Sequence, residues 1–310
     1  MIIVILLSLQ GGLALRSNGC RLLAFEGNAH INLIGGGTKG AYQAGVFDEL
    51  VKLLPPREIR YDVITGVSVG ALNGLMVAIH KPGKEKEAAS KLIDLWLNIQ
   101  SSDIYEHWEF PGPVRGLFYK SSFFNNDPES HFVKKIFKEN GEKVRRKFTV
   151  GITDAQTAKY FAVNQDVKAE LIPYYVVASS SVPGFFKYLS EDNKILVDGS
   201  TVNNLNLREG IKECQNLVTD NSKITVDIIM TNPLILGKYD MTSSSSLSTY
   251  MRGNELLKMR QSKYYLFDIM RAFPTVNWRF IISPKKVLPN YPVIPLVSCL
   301  CDGRILILRC

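Results

Sequence analysis

The stretch Tyr61–Asn73, YDVITGVSVGALN, places a predicted strand directly before a predicted helix. Its first residues are typical of a β-strand, and the apolar residues after Gly70 recur at helical spacing. Between the two, Gly66 and Gly70 flank Ser68 in a Gly-x-Ser-x-Gly sequence, which is typical of a nucleophile elbow. Such a turn is so tight that only glycine fits on either side of the serine. The sequence therefore predicts that Ser68 Oγ is held at a strand end, where the helix N-terminus favours developing negative charge.

A second glycine-rich turn bears on whether Ser68 is a nucleophile or an incidental serine. Ala29–Ile34 is predicted to be the first strand, and Ala41–Leu54 has the apolar spacing of a helix. A loop between strand and helix presents backbone N–H groups to an anion. This loop consists of Gly35, Gly36, Gly37, Thr38, Lys39 and Gly40.

Three kinds of anion site use such a loop. A dinucleotide fold needs an acidic residue at the end of the next strand, whereas Asp62 lies at the start of that strand. A Walker loop needs Gly-Lys-Ser/Thr, whereas Lys39 precedes a glycine. The third kind is an oxyanion hole, for which the N–H groups around Gly36 and Gly37 would serve. It requires a nucleophile nearby, and Ser68 follows one βαβ step later.

The base that activates Ser68 is predicted to be a carboxylate. The four histidines are His30, His80, His107 and His131. A triad built on a nucleophile elbow needs a histidine late in the chain, and none follows position 131. The predicted strand Lys194–Val197 is followed directly by Asp198 and Gly199. An acid in such a place often belongs to a turn, but the lack of another partner for Ser68 makes Asp198 the candidate base.

The three motifs, in this order, resemble the signature of the patatin-like phospholipases. That signature is Gly-x-Gly-x-x-Gly, then Gly-x-Ser-x-Gly, then Asp-Gly-Gly/Ala, and the match covers Ile31–Leu207. Phe148–Asn164 resembles the central hairpin of the family, and Ala178–Phe186 resembles its stretch of small residues and proline. The sequence departs from the family at Ser200, where glycine or alanine is usual, and at Asn206, which replaces a proline.

The resemblance implies a three-layer α/β/α fold with a mainly parallel central sheet, over residues 29–283. It implies a lipid acyl hydrolase, a phospholipase A-type esterase, with Ser68 as nucleophile, Asp198 as base and an oxyanion hole at Gly36 and Gly37. Lys39 matches the basic position of the family's loop. The expected substrate is a fatty acyl ester, and neither metal nor cofactor is expected. A transacylase on the same dyad and a silent lipid-binding or storage-type protein are the alternatives.

Composition and charge are compatible with a globular protein that meets an anionic surface. The 310 residues are 46% apolar and 21% charged, and they carry a net charge of +8. Charge alone leaves phospholipid and nucleic acid open, and the resemblance favours lipid with no nucleic acid. The basic stretch Phe132–Phe148 is read either as a solvated helix face or as a site for anionic headgroups. The aromatic stretch Tyr105–Phe124 is expected to cap the core or to border an acyl pocket.

The ends of the chain and the cysteines give weaker indications. Met1–Ala14 is apolar and uncharged, which predicts a signal peptide and a secreted or lumenal protein. A buried N-terminal strand, with a cytoplasmic or peripheral membrane location, is the alternative. The five cysteines are irregularly spaced and are expected to be free thiols, with at most one disulfide. Further helices are predicted at Lys84–Ile99 and Leu247–Phe273, and residues 284–310 remain unassigned.

Overall fold

The structure, a computed structural model, describes residues 19–27, 38–109, 112–231, 241–242, 244–282 and the strand at 306–309. The helices are α1 (Thr38–Leu53), α2 (Pro56–Ile59), α3 (Val69–Ala78), α4 (Glu85–Asn98), α5 (Ser101–Ile104), α6 (Pro113–Tyr119), α7 (Asp127–Glu139), α8 (Ile172–Ser180), α9 (Leu207–Gln215) and α10 (Ser246–Ala272). The strands are β1 (Cys20–Phe25), β2 (Val63–Val67), β3 (Ser122–Phe124), β4 (Lys147–Asp154), β5 (Lys159–Asn164), β6 (Gly184–Phe186), β7 (Leu189–Glu191), β8 (Lys194–Asp198), β9 (Ile224–Ile229), β10 (Asn277–Ile282) and β11 (Leu306–Arg309).

Nine strands of the described chain form one sheet in the order β11-β10-β9-β1-β2-β4-β8-β7, with β5 paired to β4. The consecutive strands β10, β9, β1, β2 and β4 are all parallel. Antiparallel pairings extend the sheet at both sides. The central strands read as nearly continuous apolar runs, as parallel strands covered on both faces require. The prediction of a mainly parallel central sheet is confirmed.

Alternate side chains of these strands pack into two separate cores. Leu23, Phe25 and Ile64 pack with α1, α3, α4 and α8 on one face of the sheet. Leu22 and Val63 pack with α9 and α10 on the other face. Because successive residues of a strand point to opposite faces, helices cover the sheet on both sides. The three-layer α/β/α architecture is therefore confirmed.

The sheet contains a strand upstream of the first strand that the sequence predicts. Cys20–Phe25 pairs with β2 on one side and with β9 on the other. It reads CRLLAF, a short apolar run without alternation, which periodicity alone does not separate from a buried helical segment. The predicted strand Ala29–Ile34 and the predicted signal peptide Met1–Ala14 lie outside the described residues.

A disulfide joins Cys20 of β1 to Cys214 of α9. The two cysteines are 194 residues apart in the sequence, and the fold brings their Cα atoms to 5.6 Å, an ordinary separation for a disulfide. Both side chains are buried in the core between the sheet and α9. The sequence allowed one disulfide but could not identify its partners, because the pairing depends on the sheet order.

The longer elements predicted from periodicity are present. Helix α4 lies within the predicted Lys84–Ile99, α10 matches Leu247–Phe273 to within a residue at each end, and β4 with β5 forms the predicted hairpin. In the aromatic stretch, the rings of Tyr105 and Phe124 pack together with centroids 4.4 Å apart. Among the described residues, no helix combines the length and apolar character needed to cross a bilayer.

The basic stretch does not form a single exposed face. Arg146 is buried, donates to the carbonyl oxygens of His80 and Tyr61, and pairs with Glu85 at 3.0 Å. Lys147 lies 3.4 Å from a carboxylate oxygen of Glu213. Both cations form ion pairs within the fold. Because Arg146 is also buried, it is not available to a lipid headgroup. The stretch also lines a surface cavity of about 710 Å³ that does not include Ser68 or Asp198.

Candidate active site

Ser68 lies at the turn between β2 and α3, where the motif predicts it. Its backbone has φ 55° and ψ −132°, a conformation that residues other than glycine rarely adopt and that costs about 1–3 kcal/mol. A Cβ atom on Gly66 would overlap the carbonyl oxygen of Gly70. A Cβ atom on Gly70 would lie 2.6 Å from the carbonyl oxygen of Phe25. Close backbone approach therefore requires both glycines, and the turn has the geometry of a nucleophile elbow.

The structure brings the two predicted members of the dyad together. Ser68 Oγ donates a hydrogen bond to Asp198 Oδ2 at 2.6 Å, and both side chains are buried. Strand β4 explains the meeting, because β2 and β8 both pair with it. In that register Val67 lies opposite Gly151, and Asp198 lies opposite the next residue, Ile152. The ends of the two strands therefore converge on one point of the sheet.

The second oxygen of Asp198 is held by the following turn. Asp198 Oδ1 accepts a hydrogen bond from the N–H of Ser200 at 2.7 Å. Gly199 is required between them, because a Cβ atom there would overlap the carbonyl oxygen of Gly151. Burial raises the pKa of Asp198 to about 6, against the lowering effect of its hydrogen bonds and of the positive charge on Lys258. A carboxyl with that pKa is mostly ionised at neutral pH and accepts a proton readily.

The departures from the family signature leave this arrangement intact. The Ser200 hydroxyl is buried next to Gly27, and Asp198 Oδ2 accepts its hydrogen bond from Ser68 Oγ. It therefore does not replace Ser68 as the partner of Asp198. Asn206 donates from Nδ2 to Thr149 Oγ1 at 3.0 Å, which ties the start of α9 to β4.

Part of the glycine-rich loop can be placed relative to Ser68. The predicted oxyanion hole at Gly36 and Gly37 lies outside the described residues, as does the neighbouring Gly35. The end of the loop is described, and a Cβ atom on Gly40 would lie 2.5 Å from Val69 Cγ2. The carbonyl oxygen of Gly40 also accepts a hydrogen bond from Asn73 Nδ2 at 3.1 Å. The loop therefore ends against the residue that follows Ser68.

Two polar residues near Ser68 were not singled out from the sequence. Ser179 Oγ accepts a hydrogen bond from the backbone N–H of Ser68 at 2.9 Å and donates to the carbonyl oxygen of Gly151 at 2.7 Å. Glu129 is buried and accepts a hydrogen bond from Ser180 Oγ at 2.5 Å. Burial raises the pKa of Glu129 to about 7, and the negative charge of Asp198 contributes to the rise.

Sequence patterns gave little indication that Ser179 and Glu129 lie near Ser68. Ser179 belongs to the small-residue stretch that resembles the family, where three serines in a row are equivalent by sequence. Glu129 lies in the first turn of α7, a place where an acidic residue is commonly explained by the helix dipole alone. Only the packing of α7 against α8, and of α8 against β8, shows that both lie close to the dyad.

None of the described histidines contacts the dyad. His80 is buried, and its Nδ1 lies 2.9 Å from the carbonyl oxygen of Met76. The ring of His107 packs against the ring of Phe124, with centroids 5.2 Å apart. His131 is exposed on α7, and His30 lies outside the described residues. Within the described ranges, no group of three or more histidine, cysteine, aspartate or glutamate side chains is arranged to hold a metal ion.

The fold and the site define an α/β protein with a buried serine on a strand-to-helix elbow, bonded directly to an aspartate at a second strand end. The sequence model of the family described as "Patatin-like phospholipase" matches residues 33–211, which is more than half of the chain. The chain belongs to the patatin-like phospholipase family, a family of lipid hydrolases.

One solved structure has partial similarity to this chain. The crystal structure of VipD from Legionella pneumophila is similar to 81% of this chain, with 10% sequence identity and a TM-score of 0.36. The similar region makes up 56% of that chain, so this protein spans little more than half of the VipD structure. A search of curated proteins found no match.

Proposed function

We propose that this protein is a lipid acyl hydrolase in which Ser68 attacks fatty acyl esters and Asp198 acts as the general base. The observation that carries the proposal is the 2.6 Å hydrogen bond from Ser68 Oγ to Asp198 Oδ2 on a strained elbow. Membership of the patatin-like phospholipase family supplies the class of substrate. Acyl esters of phospholipids or galactolipids are the substrates that we expect.

The reaction follows from the order of the groups around Ser68. As Ser68 Oγ bonds to the ester carbonyl carbon, its proton passes to Asp198 Oδ2. The oxyanion that forms is bound by the N–H of Val69, the residue after the nucleophile, and by N–H groups of the loop at Gly36 and Gly37.

The reaction is completed by departure of the alcohol and then by hydrolysis of the acyl-enzyme. The tetrahedral intermediate collapses, the alcohol leaves with the proton from Asp198, and the acyl group stays on Ser68 as an ester. Asp198 then takes a proton from water as that water attacks the acyl-enzyme. The bond between the acyl carbon and Ser68 Oγ breaks, the proton passes from Asp198 back to Ser68 Oγ, and the fatty acid is released. No redox partner enters, because every step moves only protons and an acyl group.

The buried environment of Asp198 suits this role. The pKa near 6 leaves the carboxyl ionised at neutral pH but still able to hold the proton that it takes from the serine. The N–H of Ser200 holds the other carboxyl oxygen, so Asp198 Oδ2 remains directed at Ser68. Ser179 holds the backbone N–H of Ser68, which fixes the elbow without occupying Ser68 Oγ.

Release of fatty acid from a panel of phospholipids and galactolipids tests the proposal. We expect the purified wild-type protein to release fatty acid from at least one class, and Ser68→Ala to release none. Because the Ser68 side chain lies at a turn rather than in the hydrophobic core, Ser68→Ala should remain folded, which circular dichroism would verify. Hydrolysis by Ser68→Ala above one tenth of the wild-type rate would contradict the assignment of the nucleophile.

We also propose that the protein matures in an oxidising compartment. The apolar stretch Met1–Ala14 predicts a signal peptide, and the Cys20–Cys214 disulfide is of a kind that is rare in the reducing cytosol. N-terminal sequencing of the protein from its native source tests this directly. A mature chain that begins at Met1 and carries two reduced thiols at these positions would contradict it.

A further inference from the structure

The long helix α10 carries apolar side chains on the face that points away from the protein. Tyr250, Leu257 and Tyr264 recur every seven residues and are 70%, 67% and 57% exposed. Leu256 and Phe267 are exposed beside them. Single exposed apolar residues are common, but five large ones along one helix form a patch of the kind that marks an interaction site.

The same outer face is positively charged. Arg260, Lys263 and Arg271 are exposed. Of the two acidic residues of α10, Asp268 is exposed and Glu255 forms an ion pair with Arg252. None of the three cations forms an ion pair with a described residue. The guanidinium of Arg260 instead lies over the ring of Tyr264, 5.4 Å from its centroid. Long cationic side chains next to exposed aromatic and aliphatic side chains are suited to the boundary between lipid headgroups and acyl chains, because the cations reach the headgroups while the apolar groups enter the lipid.

The inner face of α10 is turned towards the dyad. Ser262 is buried and accepts a hydrogen bond from Asn204 Nδ2 at 3.1 Å, and Ile269 packs in the core beneath. Lys258 lies one turn before Ser262, and its positive charge acts on Asp198. The part of α10 around Lys258 and Ser262 therefore lies beside the end of the sheet where Ser68 and Asp198 meet, whereas the last turn of α10 leads to the start of β10 at the opposite end.

The C-terminal part of the basic stretch, from Lys143 to Lys147, lies at the other end of the sheet. Its last cation, Lys147, begins β4 and pairs with Val63 at the start of β2, whereas Ser68 follows the end of β2. The length of β2 separates the two ends by about 13 Å, at about 3.3 Å per residue. A lipid surface that contacted Lys143 and Arg145 would thus meet the protein at the end opposite the dyad. A surface that contacts Tyr250 and Leu257 in the N-terminal half of α10 would meet it beside the dyad.

We propose that α10 is an interfacial helix that docks the protein on an anionic lipid surface and places the dyad at that surface. This deepens the proposed function and rests on it for the choice of lipid as partner. The charge of the outer face favours this occupant over a second copy of the chain. In a symmetric pair, Arg260, Lys263 and Arg271 would approach the same cations of the other copy, whereas anionic headgroups would neutralise them.

Vesicle co-sedimentation tests the proposal with hydrolysis removed. The protein carries Ser68→Ala, so that binding is measured without consumption of lipid, and the vesicles are phosphatidylcholine with or without phosphatidylserine. The double substitution Leu257→Glu with Tyr264→Glu should weaken binding to the anionic vesicles by about tenfold or more, because it removes two apolar anchors and adds two negative charges. Arg260→Ala with Lys263→Ala should weaken it mainly at low salt.

A matched control is available on another exposed helix. Leu97 of α4 is 77% exposed, so Leu97→Glu makes the same chemical change away from α10 and should leave vesicle binding unchanged. Thermal unfolding of each variant shows that it remains folded. Equal binding by Leu97→Glu and the α10 double variant would overturn the proposal. So would a wild-type dimer in light scattering that the α10 substitutions convert to a monomer, because the second copy would then be the occupant.

Failure of the proposed function would be recognised separately. If Ser68 is not the nucleophile, either the wild-type protein will not hydrolyse a short-chain water-soluble ester or Ser68→Ala will hydrolyse it equally fast, whatever their vesicle binding. If the dyad works and α10 docks lipid, the α10 double variant without Ser68→Ala should hydrolyse the soluble ester at the wild-type rate. It should then hydrolyse vesicle lipid about tenfold more slowly. Equal slowing on both substrates would contradict a docking role.

Discussion

Ser68 Oγ and Asp198 Oδ2 form a 2.6 Å hydrogen bond although the residues are 130 positions apart in the sequence. The register of β4 brings them together, since Val67 and Asp198 lie opposite its consecutive residues Gly151 and Ile152. Backbone pairing therefore positions the hydroxyl and the carboxyl next to each other. The glycines of the two turns are needed so that the backbones can approach this closely.

The first prediction concerns the elbow glycines. Gly70→Ala should lower the free energy of unfolding by about 1–3 kcal/mol, because its new Cβ atom would lie 2.6 Å from the carbonyl oxygen of Phe25. Gly45→Ala is the matched control, because nothing lies within 4 Å of a Cβ atom at that position of α1. It should raise stability by about 0.5–1 kcal/mol. Urea unfolding measures both, and equal effects would contradict the described turn.

The second prediction is a pH dependence of the reaction. Asp198 must be ionised to accept the Ser68 proton, and burial raises its pKa to about 6. The kcat/KM for a water-soluble ester should therefore fall as the pH drops through about 6 and should level off above it. Initial rates across this range measure the effect. An acid limb centred near the ordinary aspartate pKa of about 4 would show that Asp198 is not buried in the working enzyme.

The third prediction is a pH dependence of stability that arises from Glu129. Its pKa rises from 4.5 in the unfolded chain to about 7 in the fold, so the folded state binds this proton more tightly. That contribution is fully present below pH 4.5 and is lost as the pH rises through about 7. Glu129→Gln keeps a side chain of the same shape and removes the titration. Relative to wild type, Glu129→Gln should gain about 3 kcal/mol of stability between pH 4.5 and pH 8.

Urea unfolding of wild type and Glu129→Gln at several pH values provides the measurement. The difference between the two proteins isolates Glu129, because the other titrating groups remain in both. A difference that does not change with pH would show that Glu129 titrates normally. It would also place the carboxyl in water rather than beside Ser180.

The fourth prediction separates a dyad from a triad. Replacement of His30, His80, His107 and His131 by glutamine, one at a time, should leave kcat/KM within a few-fold of wild type. Asp198→Asn should lose most activity, because the amide keeps the shape of the side chain but cannot accept the serine proton. A folded histidine variant that loses as much activity as Asp198→Asn would show that a triad operates.

The central features of the site could be predicted from short stretches of the sequence. The elbow around Ser68 and the turn after Asp198 depend on tight backbone geometry, and such geometry restricts the residue types over a few positions. Their glycines could therefore be recognised from the sequence alone. The longer helices and the β4–β5 hairpin could be predicted for a similar reason, since their periodicity is also local.

Features that depend on packing could not be predicted. Arg146 reads as one more cation of a basic stretch, and only the fold shows that it is buried against Glu85. Strand β1 is a short apolar run whose neighbours in the sheet come from distant parts of the chain. Glu129 and Ser179 likewise acquire their places near Ser68 through the packing of α7 and α8, which local patterns do not report.

The central claim is that Ser68 is a nucleophile activated by Asp198, and a fluorophosphonate probe tests it most directly. Such a probe labels an activated serine, and peptide mass spectrometry locates the adduct. We expect one adduct, on Ser68, in the wild-type protein, none in Ser68→Ala and much slower labelling in Asp198→Asn. Labelling of Asp198→Asn at the wild-type rate, or an adduct on another residue with Ser68 unmodified, would contradict this account.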